Sequence, residues 1–368
     1  MDEKWHTFPD YQGQPGGVTG MLLLAESHLA VHTWPERAGV TLDVYVCNFS
    51  ADNSDKAERL MAALLADLKP GHSLTNRLQR GSINPDSSPE LVLESLNDHS
   101  VYGYRASRRL DTRRTAHQLL EVYDTPQFGR LLRLDGHFMT SEGEEFFYHE
   151  CLIHPVAIAH LEPRSALIIG GGDGGAAEEL FKHPSMRRVV VAELDAGVVE
   201  AATRYLDAVH RGVFSDPRLE LRIGDGFEYM RQTDERFDLV LLDLTDPETP
   251  AGPLYTAEAF ASVKRVLNPG GAVALHIGTP VFEPEQVRRI AADLRAVFAK
   301  VNCYGLYIPL YGAYWGLAVA SDGLDPTAVS RSVVADRLSE RGIADLRYYN
   351  ADVHGALFAL PNFYRALL

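Results

Sequence analysis

The sequence predicts an α/β protein whose main domain is a doubly wound, mostly parallel sheet. Three observations carry that expectation. Ser165-Ala-Leu-Ile-Ile-Gly-Gly-Gly-Asp-Gly-Gly-Ala-Ala-Glu-Glu-Leu180 runs from an apolar stretch through a glycine loop straight into helical spacing. That is the strand–loop–helix corner at which such sheets bind nucleotide-like ligands. From there to His276 apolar strands alternate with helical stretches, the pattern of a parallel sheet with ligands at the carboxyl ends of its strands. Finally, four successive strands each deliver acid at that end: Asp173, Glu193, Asp225, and the pair Asp243 and Asp246.

The bulk numbers bound the partners. A chain of 368 residues with 46% apolar content has room for two or three ordinary domains. A net charge of −15 weighs against nucleic acid or an anionic membrane as the main partner. Cys47, Cys151 and Cys303 are far apart, odd in number and in no metal-ligand spacing, which fits a reducing compartment without disulfides. No apolar run approaches a membrane span and the N-terminus is no signal peptide. A cytoplasmic location is expected.

Residues 1–81 read as a first, α+β unit. Gly17 to Ala25 is a buried strand by composition, and Leu29 to Trp34 and Thr41 to Cys47 alternate as two more. Leu60, Leu64, Leu65 and Leu68 have helical spacing, in a stretch from Asp55 that Pro70-Gly71 stops. Taken singly, Ser27, His28, His32 and Cys47 are ordinary turn, strand and core residues. Together, Ala25-Glu-Ser-His28, His32-Thr-Trp-Pro-Glu36 and Cys47 resemble the bacterial S-adenosylmethionine decarboxylase proenzyme. The resemblance implies self-cleavage between Glu26 and Ser27, leaving a pyruvoyl group derived from Ser27. That ketone would form a Schiff base with the substrate amine and serve as an electron sink. His32 would assist processing and Cys47 would donate a proton. The family carries a further strand and helix before this point. Without them a sheet edge is bare and the core has a helix-sized gap, so the segment is either a remnant or starts upstream of Met1.

Residues 82–91 are a linker by composition, within Gly81-Ser-Ile-Asn-Pro-Asp-Ser-Ser-Pro89. Residues 92–140 form a small antiparallel β domain: Val101 to Tyr104, Gln118 to Tyr123 and Arg130 to Leu134 alternate, and Asp135-Gly136 signals a hairpin turn. Residues 141–368 are the main domain. Glu142 to Leu161 is helical, and Arg188 to Asp195, Leu219 to Gly226, Phe237 to Pro247 and Gly270 to His276 are the strands after the glycine loop. Ala257 to Leu267 is a helix before the last of them.

The acids at the strand ends state the chemistry. A helix N-terminus normally receives an anion; Asp173 at this one suits a ligand that brings an amine. Glu193 lies about 20 residues beyond the loop, where an acid grips ribose hydroxyls. One such acid is an ordinary cap or turn former. Four on one edge exclude anionic ligands and point to a cationic nucleoside, with a second cation near Asp243 and Asp246. S-adenosylmethionine methyltransferases share this sheet, but Asp173 would repel their ligand's carboxylate; the decarboxylated ligand has only an amine there.

Gly170-Gly-Gly-Asp-Gly-Gly175, Asp225-Gly226, Asp243-Leu-Thr-Asp-Pro247 and Arg347-Tyr-Tyr-Asn350 resemble the spermidine synthases, the polyamine aminopropyltransferases, from about residue 92 to the C-terminus. The resemblance implies a Rossmann-like sheet of the methyltransferase type. It also implies aminopropyl transfer from decarboxylated S-adenosylmethionine to putrescine, giving spermidine and 5′-methylthioadenosine. No metal is implied, and the assembly would be a homodimer or homotetramer. Asp243 would take a proton from the acceptor ammonium, whose pKa is near 10, while Tyr148 and Asp246 hold that amine. Gln118, His149, Asp173, Glu193, Asp225 and Gly226 fall on the family's donor and acceptor contacts, and Pro250 and Tyr311 on its pocket wall. Four positions depart from the pattern: Val92 for Trp, Glu144 for Asp, and Met139 and His276 for Gln. All but Glu144 are expected at the acceptor end, which leaves spermidine or agmatine open as acceptors. The competing readings are a methyltransferase, a nicotinamide dehydrogenase, whose phosphates would meet four carboxylates, and a catalytically silent polyamine-binding protein.

Overall fold

In the computed structural model the chain divides into two compact units, Met1–Ser88 and Pro89–Leu368. The structure describes residues 2–10, 13–25, 27–47, 53–77, 90–245 and 251–368.

The first unit is a four-stranded antiparallel sheet in sequential order, β1 (Asp2–Thr7), β2 (Val18–Leu23), β3 (His28–Trp34) and β4 (Gly39–Tyr45), followed by helix α1 (Ser54–Leu68). Three strands and the helix lie where the apolar spacing predicts them. The β1 strand does not follow from spacing, because Asp2-Glu3-Lys4-Trp5-His6-Thr7 is mostly polar and exposed throughout. It pairs with β2 along its length, so the edge expected to be bare is covered. Gly20 makes room for it: a Cβ there would lie 2.1 Å from the Trp5 ring. Among the described residues of this unit only Gly20 and Ala30 are buried. Met21, Leu23 and Trp34 on the sheet and Leu60 and Leu68 on α1 remain exposed.

The second unit opens with a two-stranded ribbon, β5 (Glu90–Asn97) and β6 (Ser100–Ala106). A separate four-stranded antiparallel sheet follows: β7 (Arg108–Arg114), β8 (Leu119–Thr125), β9 (Gly129–Leu134) and β10 (His137–Ser141). One small sheet was expected and two are present. Strand β5 begins at Glu90, inside the stretch read as linker; most of that stretch, residues 78–89, lies outside the described residues. The β9–β10 turn has Asp135 at φ 46° and Gly136 at φ 97°, the left-handed pair that a two-residue Asp-Gly hairpin turn requires.

The main domain then runs α2 (Glu145–Ala159), β11 (Ser165–Gly170), α3 (Gly175–Phe181), β12 (Arg188–Glu193), α4 (Ala196–Tyr205), α5 (Asp207–His210), β13 (Leu219–Ile223), α6 (Gly226–Gln232), β14 (Phe237–Asp243), α7 (Ala257–Arg265), β15 (Leu267–Gly278), α8 (Pro284–Val297), β16 (Lys300–Ile308), β17 (Ala313–Ser321), α9 (Arg331–Glu340) and α10 (Ala351–Leu357). Its seven strands are ordered β13-β12-β11-β14-β15-β17-β16. The expected parallel sheet holds for the first five. Strand β17 is antiparallel to β15 and to β16, so a C-terminal hairpin completes a mixed sheet. Alternate residues of β11 serve opposite cores: Ala166 and Ile168 face one cluster with Leu152 of α2, and Leu167 and Ile169 face another with Phe260 of α7 and Ile290 of α8. A sheet covered on both faces needs such uninterrupted apolar strands. Thirteen of the fifteen residues of α2 are buried, so its polar side chains must find partners inside the protein.

Candidate active site

The glycine loop crosses directly over the end of β14. Gly170 and Gly171 have φ of 81° and 67°, a left-handed conformation that disfavours other residues. A Cβ on Gly170 would lie 2.1 Å from the Asp243 carbonyl oxygen, and the Gly171 N–H donates to that carbonyl at 2.9 Å. The crossing brings Asp173 beside Asp243. Because β13, β12, β11 and β14 are neighbours, Asp225, Glu193, Asp173 and Asp243 stand side by side along one edge. All four line a cleft of about 350 Å³, together with Gln118, Tyr148, His149, Gly226 and Tyr311. Asp246 and Pro250 lie outside the described residues.

Three of these acids also hold the backbone. Asp173 Oδ1 accepts the Gly175 N–H at 3.0 Å. Glu193 accepts N–H groups from Gly172 at 3.1 Å and Asp195 at 2.8 Å. Asp225 caps α6 through the N–H groups of Phe227 and Glu228. The ordinary capping role and a place in the cleft coexist there. Asp243 differs: its Oδ2 and the neighbouring Tyr148 hydroxyl are both buried, and neither meets full hydrogen-bond geometry with another described residue, although the hydroxyl is close enough to favour the ionised carboxyl. Burial pushes the Asp243 carboxyl up to about 6, with His149 opposing and Asp173 reinforcing the shift. Burial likewise pushes Glu193 up to about 7 against the pull of its two N–H donors.

His149 is the cation of the cluster. Its Nδ1 lies 2.9 Å from Glu145 Oε2 and its Nε2 3.5 Å from Asp173 Oδ2. Burial works against its charge, but Asp173, Glu145 and Asp243 outweigh burial and bring it to about 10. Ligand atoms of His149, Asp173 and Asp243 lie within 4.8 Å of one another, a donor set that could suit a metal by atom type. With both ring nitrogens facing carboxylates, the imidazole has no lone pair to offer, so the group reads as a cation held among acids. Asp173 is therefore paired with His149. Glu145 was missed by sequence reasoning, although Glu145 and His149 are four residues apart and so share a helix face.

The walls divide the cleft. Gln118 donates through Nε2 to Asp195 at 2.9 Å. At the other end Tyr311 donates to the Met139 carbonyl at 2.9 Å, and its ring packs on Trp315 with centroids 4.9 Å apart. His276 spends both nitrogens on protein: Nε2 donates to the Leu244 carbonyl at 2.9 Å, and Nδ1 accepts from Trp315 Nε1 at 3.4 Å. Burial lowers its pKa to about 4, so it stays neutral. Of the four departures, Met139 and His276 line the cleft and Glu144 does not. Val92 was expected to and does not either: it is buried in a core with Tyr123, Phe128 and Phe138. Trp315, Phe138 and Phe227 are wall residues the sequence did not single out.

The Arg347-Tyr-Tyr-Asn350 motif is held by α2. Glu150, buried next to His149 in sequence, accepts the backbone N–H groups of Arg347, Tyr348 and Tyr349 at 2.7, 2.8 and 2.7 Å, and Asn350 caps α10.

In the first unit the Cys47 N–H donates to Ser27 Oγ at 3.3 Å, so these two positions are brought together. His32 bonds Thr19 Oγ1 at 2.8 Å across the β2–β3 pair. Glu26 lies outside the described residues.

Comparison with known proteins agrees with this division. Residues 145–328 match the Spermine/spermidine synthase domain, residues 104–142 the Spermidine synthase tetramerisation domain, and residues 1–81 the S-adenosylmethionine decarboxylase family. A polyamine aminopropyltransferase of Nitrosomonas europaea is 45% identical over 286 residues, covering 77% of this chain and 88% of the relative. Polyamine aminopropyltransferase 1 of Pseudomonas aeruginosa is 39% identical over 71% of this chain and 92% of its own. The crystal structure of a spermidine synthase in complex with the transition-state analogue AdoDATO superposes with a TM-score of 0.72 at 31% identity, covering 79% of this chain and 98% of the other. The spermidine synthase of Thermotoga maritima gives 0.71 at 31%, covering 79% and 97%.

Proposed function

Since the chain belongs to the spermine/spermidine synthase family, we propose that it is a polyamine aminopropyltransferase that moves the aminopropyl group of decarboxylated S-adenosylmethionine to putrescine, giving spermidine and 5′-methylthioadenosine. The observation that carries the mechanism is the buried Oδ2 of Asp243, which stands beside the Tyr148 hydroxyl and meets full hydrogen-bond geometry with no described residue. An alkylammonium has no lone pair, so one proton must leave before attack. Asp243 takes that proton, and at about 6 it is a stronger base than an exposed carboxylate by about two units. The freed amine attacks the carbon next to the sulfonium, the C–S bond breaks, and the sulfur leaves neutral in methylthioadenosine. The new secondary amine keeps the positive charge, and the proton on Asp243 is released to solvent.

Asp173 takes the donor's amine and Glu193 its ribose, with Gln118, His149, Asp225 and Gly226 completing the donor contacts. Tyr148, Asp246, Pro250 and Tyr311 form the acceptor side. The neutral His276 and Met139 make that end less polar than the two Gln residues of the family pattern, so spermidine or agmatine also fits the reading. Because residues 104–142 match a tetramerisation domain, the working assembly is a homodimer or homotetramer. The reaction needs no metal, and a cytoplasmic setting supplies both substrates.

The first unit is read as S-adenosylmethionine decarboxylase-like. The closeness of Ser27 and Cys47 suits self-cleavage before Ser27, with Cys47 as proton donor and His32 assisting. The pyruvoyl group derived from Ser27 would supply an electron sink for decarboxylation. Intact mass decides it: a single full-length species means Ser27 does not process. For the transferase, purified protein is given decarboxylated S-adenosylmethionine and a panel of amines, and methylthioadenosine is followed. No methylthioadenosine with any amine overturns the assignment.

A further inference from the structure

We propose that Glu145 is a positioning residue for the cleft: by accepting the Nδ1–H of His149 it directs the ring's Nε2–H at Asp173 and keeps a fixed positive charge within reach of both Asp173 and Asp243. This rests on the transferase reading and deepens it.

The geometry leaves His149 little freedom. Glu145 and His149 are 4% and 2% exposed and 2.9 Å apart. On the other side of the ring stands Gly175, where a Cβ would lie 2.3 Å from His149 Cε1. Gly175 thus closes off one face of the ring, while Nδ1 points toward one carboxylate and Nε2 toward another at 3.5 Å. A lone pair at Nε2 would point at Asp173 Oδ2; a proton there turns repulsion into attraction.

Titratable and charged groups face the ring from every neighbouring element. Glu144 and Glu145 belong to the helix N-terminus that carries it, Asp173 to the glycine loop, Asp243 to β14 and Glu193 to β12. Arg211, after α5, reaches Glu145 Oε1 at 3.9 Å. Asp173 and Asp243 must both be ionised to meet a donor amine and an acceptor ammonium. Two carboxylates this close, behind apolar walls, repel one another. A cation fixed within reach of both offsets that repulsion before either substrate arrives. It also spares Asp243 for proton transfer, since the ion pair that the imidazole makes is with Asp173 Oδ2 at 3.5 Å.

Two measurements test this. Glu145→Gln keeps the shape and an acceptor oxygen but removes the charge. The acid limb of kcat/KM against pH is expected to move up by about one unit, the size of a neighbouring-charge effect. A folded Glu145→Gln enzyme with the wild-type limb overturns the proposal, whereas an inactive wild type would instead overturn the transferase reading. Independently of activity, 15N-histidine NMR of the wild-type chain should find an imidazole among its fourteen histidines doubly protonated at pH 8. That state should be lost in Glu145→Gln. No doubly protonated imidazole at pH 8 overturns the proposal even if the variant does not fold.

Discussion

Gly175 and His149 approach so closely that a methyl group on Gly175 would sit 2.3 Å from Cε1, 2.4 Å from Nδ1 and 2.7 Å from Nε2 of the imidazole. The glycine does not have a left-handed φ, so its backbone would accept alanine. Any effect of Gly175→Ala must then come from moving the ring. Overpacking of this kind costs about 1–3 kcal/mol, and the displaced ring loses its bond to Glu145. The expected outcome is a lower melting temperature and a drop in kcat larger than the rise in KM for the acceptor. Wild-type kinetics in Gly175→Ala would show that the position of His149 does not matter.

Asp243 couples stability to pH. Its carboxyl titrates near 6 when folded, against about 3.9 unfolded. Between those values the folded chain holds a proton that the unfolded chain has lost, so the contribution of Asp243 to stability falls as pH rises from about 4 to about 6 and stays reduced above. Glu193 and Glu144, raised to about 7 and about 8 by burial, act in the same direction. Asp243→Asn removes the ionisation cost, while the loss of a partner for His149 offsets part of the gain. The ligand-free variant is expected to be ~1–3 kcal/mol more stable at pH 7.5 and little changed at pH 4. Turnover should fall by ~10²–10⁴, the usual loss for a general base. Thermal melts at the two pH values and single-turnover rates check both halves; unchanged turnover would remove Asp243 as the base.

The buried carboxylate of Glu150 holds three consecutive N–H groups. In Glu150→Gln one oxygen becomes an amide nitrogen, a donor that cannot satisfy a donor. Leaving buried N–H groups unpaired costs ~1–3 kcal/mol. The segment after Ala328 is expected to become the preferred site of limited proteolysis, with a reduced melting temperature. A cleavage pattern identical to wild type would mean the C-terminal segment is anchored by other contacts.

These particulars show what was legible. The four strand-end acids could be read because each follows an apolar run at a spacing that the fold dictates. The Asp135-Gly136 turn could be read because few residues tolerate its dihedrals. Spacing is a local signal, however. It gives no hint that Glu150 binds residues 197 to 199 positions away, or that His149 neutralises Asp173 across the α2–α3 contact. The antiparallel β16–β17 hairpin escaped for the same reason, since the direction of a strand in a sheet is settled by tertiary pairing. The β1 strand escaped because an exposed strand carries no apolar period.

Every described residue lining the cleft falls between Glu94 and Trp315, so deleting residues 1–88 should leave kcat/KM for aminopropyl transfer unchanged. The converse is less symmetrical. A small domain is stable only if it buries well over half of its unfolded surface, yet the described part of this unit buries only Gly20 and Ala30. Its strand hydrogen bonds are then open to competition from water, and no dense apolar cluster among its described residues opposes the entropy of the unfolded chain. Residues 1–88 expressed alone are expected to melt without a cooperative transition and to show poorly dispersed amide NMR signals. A sharp two-state melt of that fragment would mean that four paired strands and one helix suffice without an enclosed core.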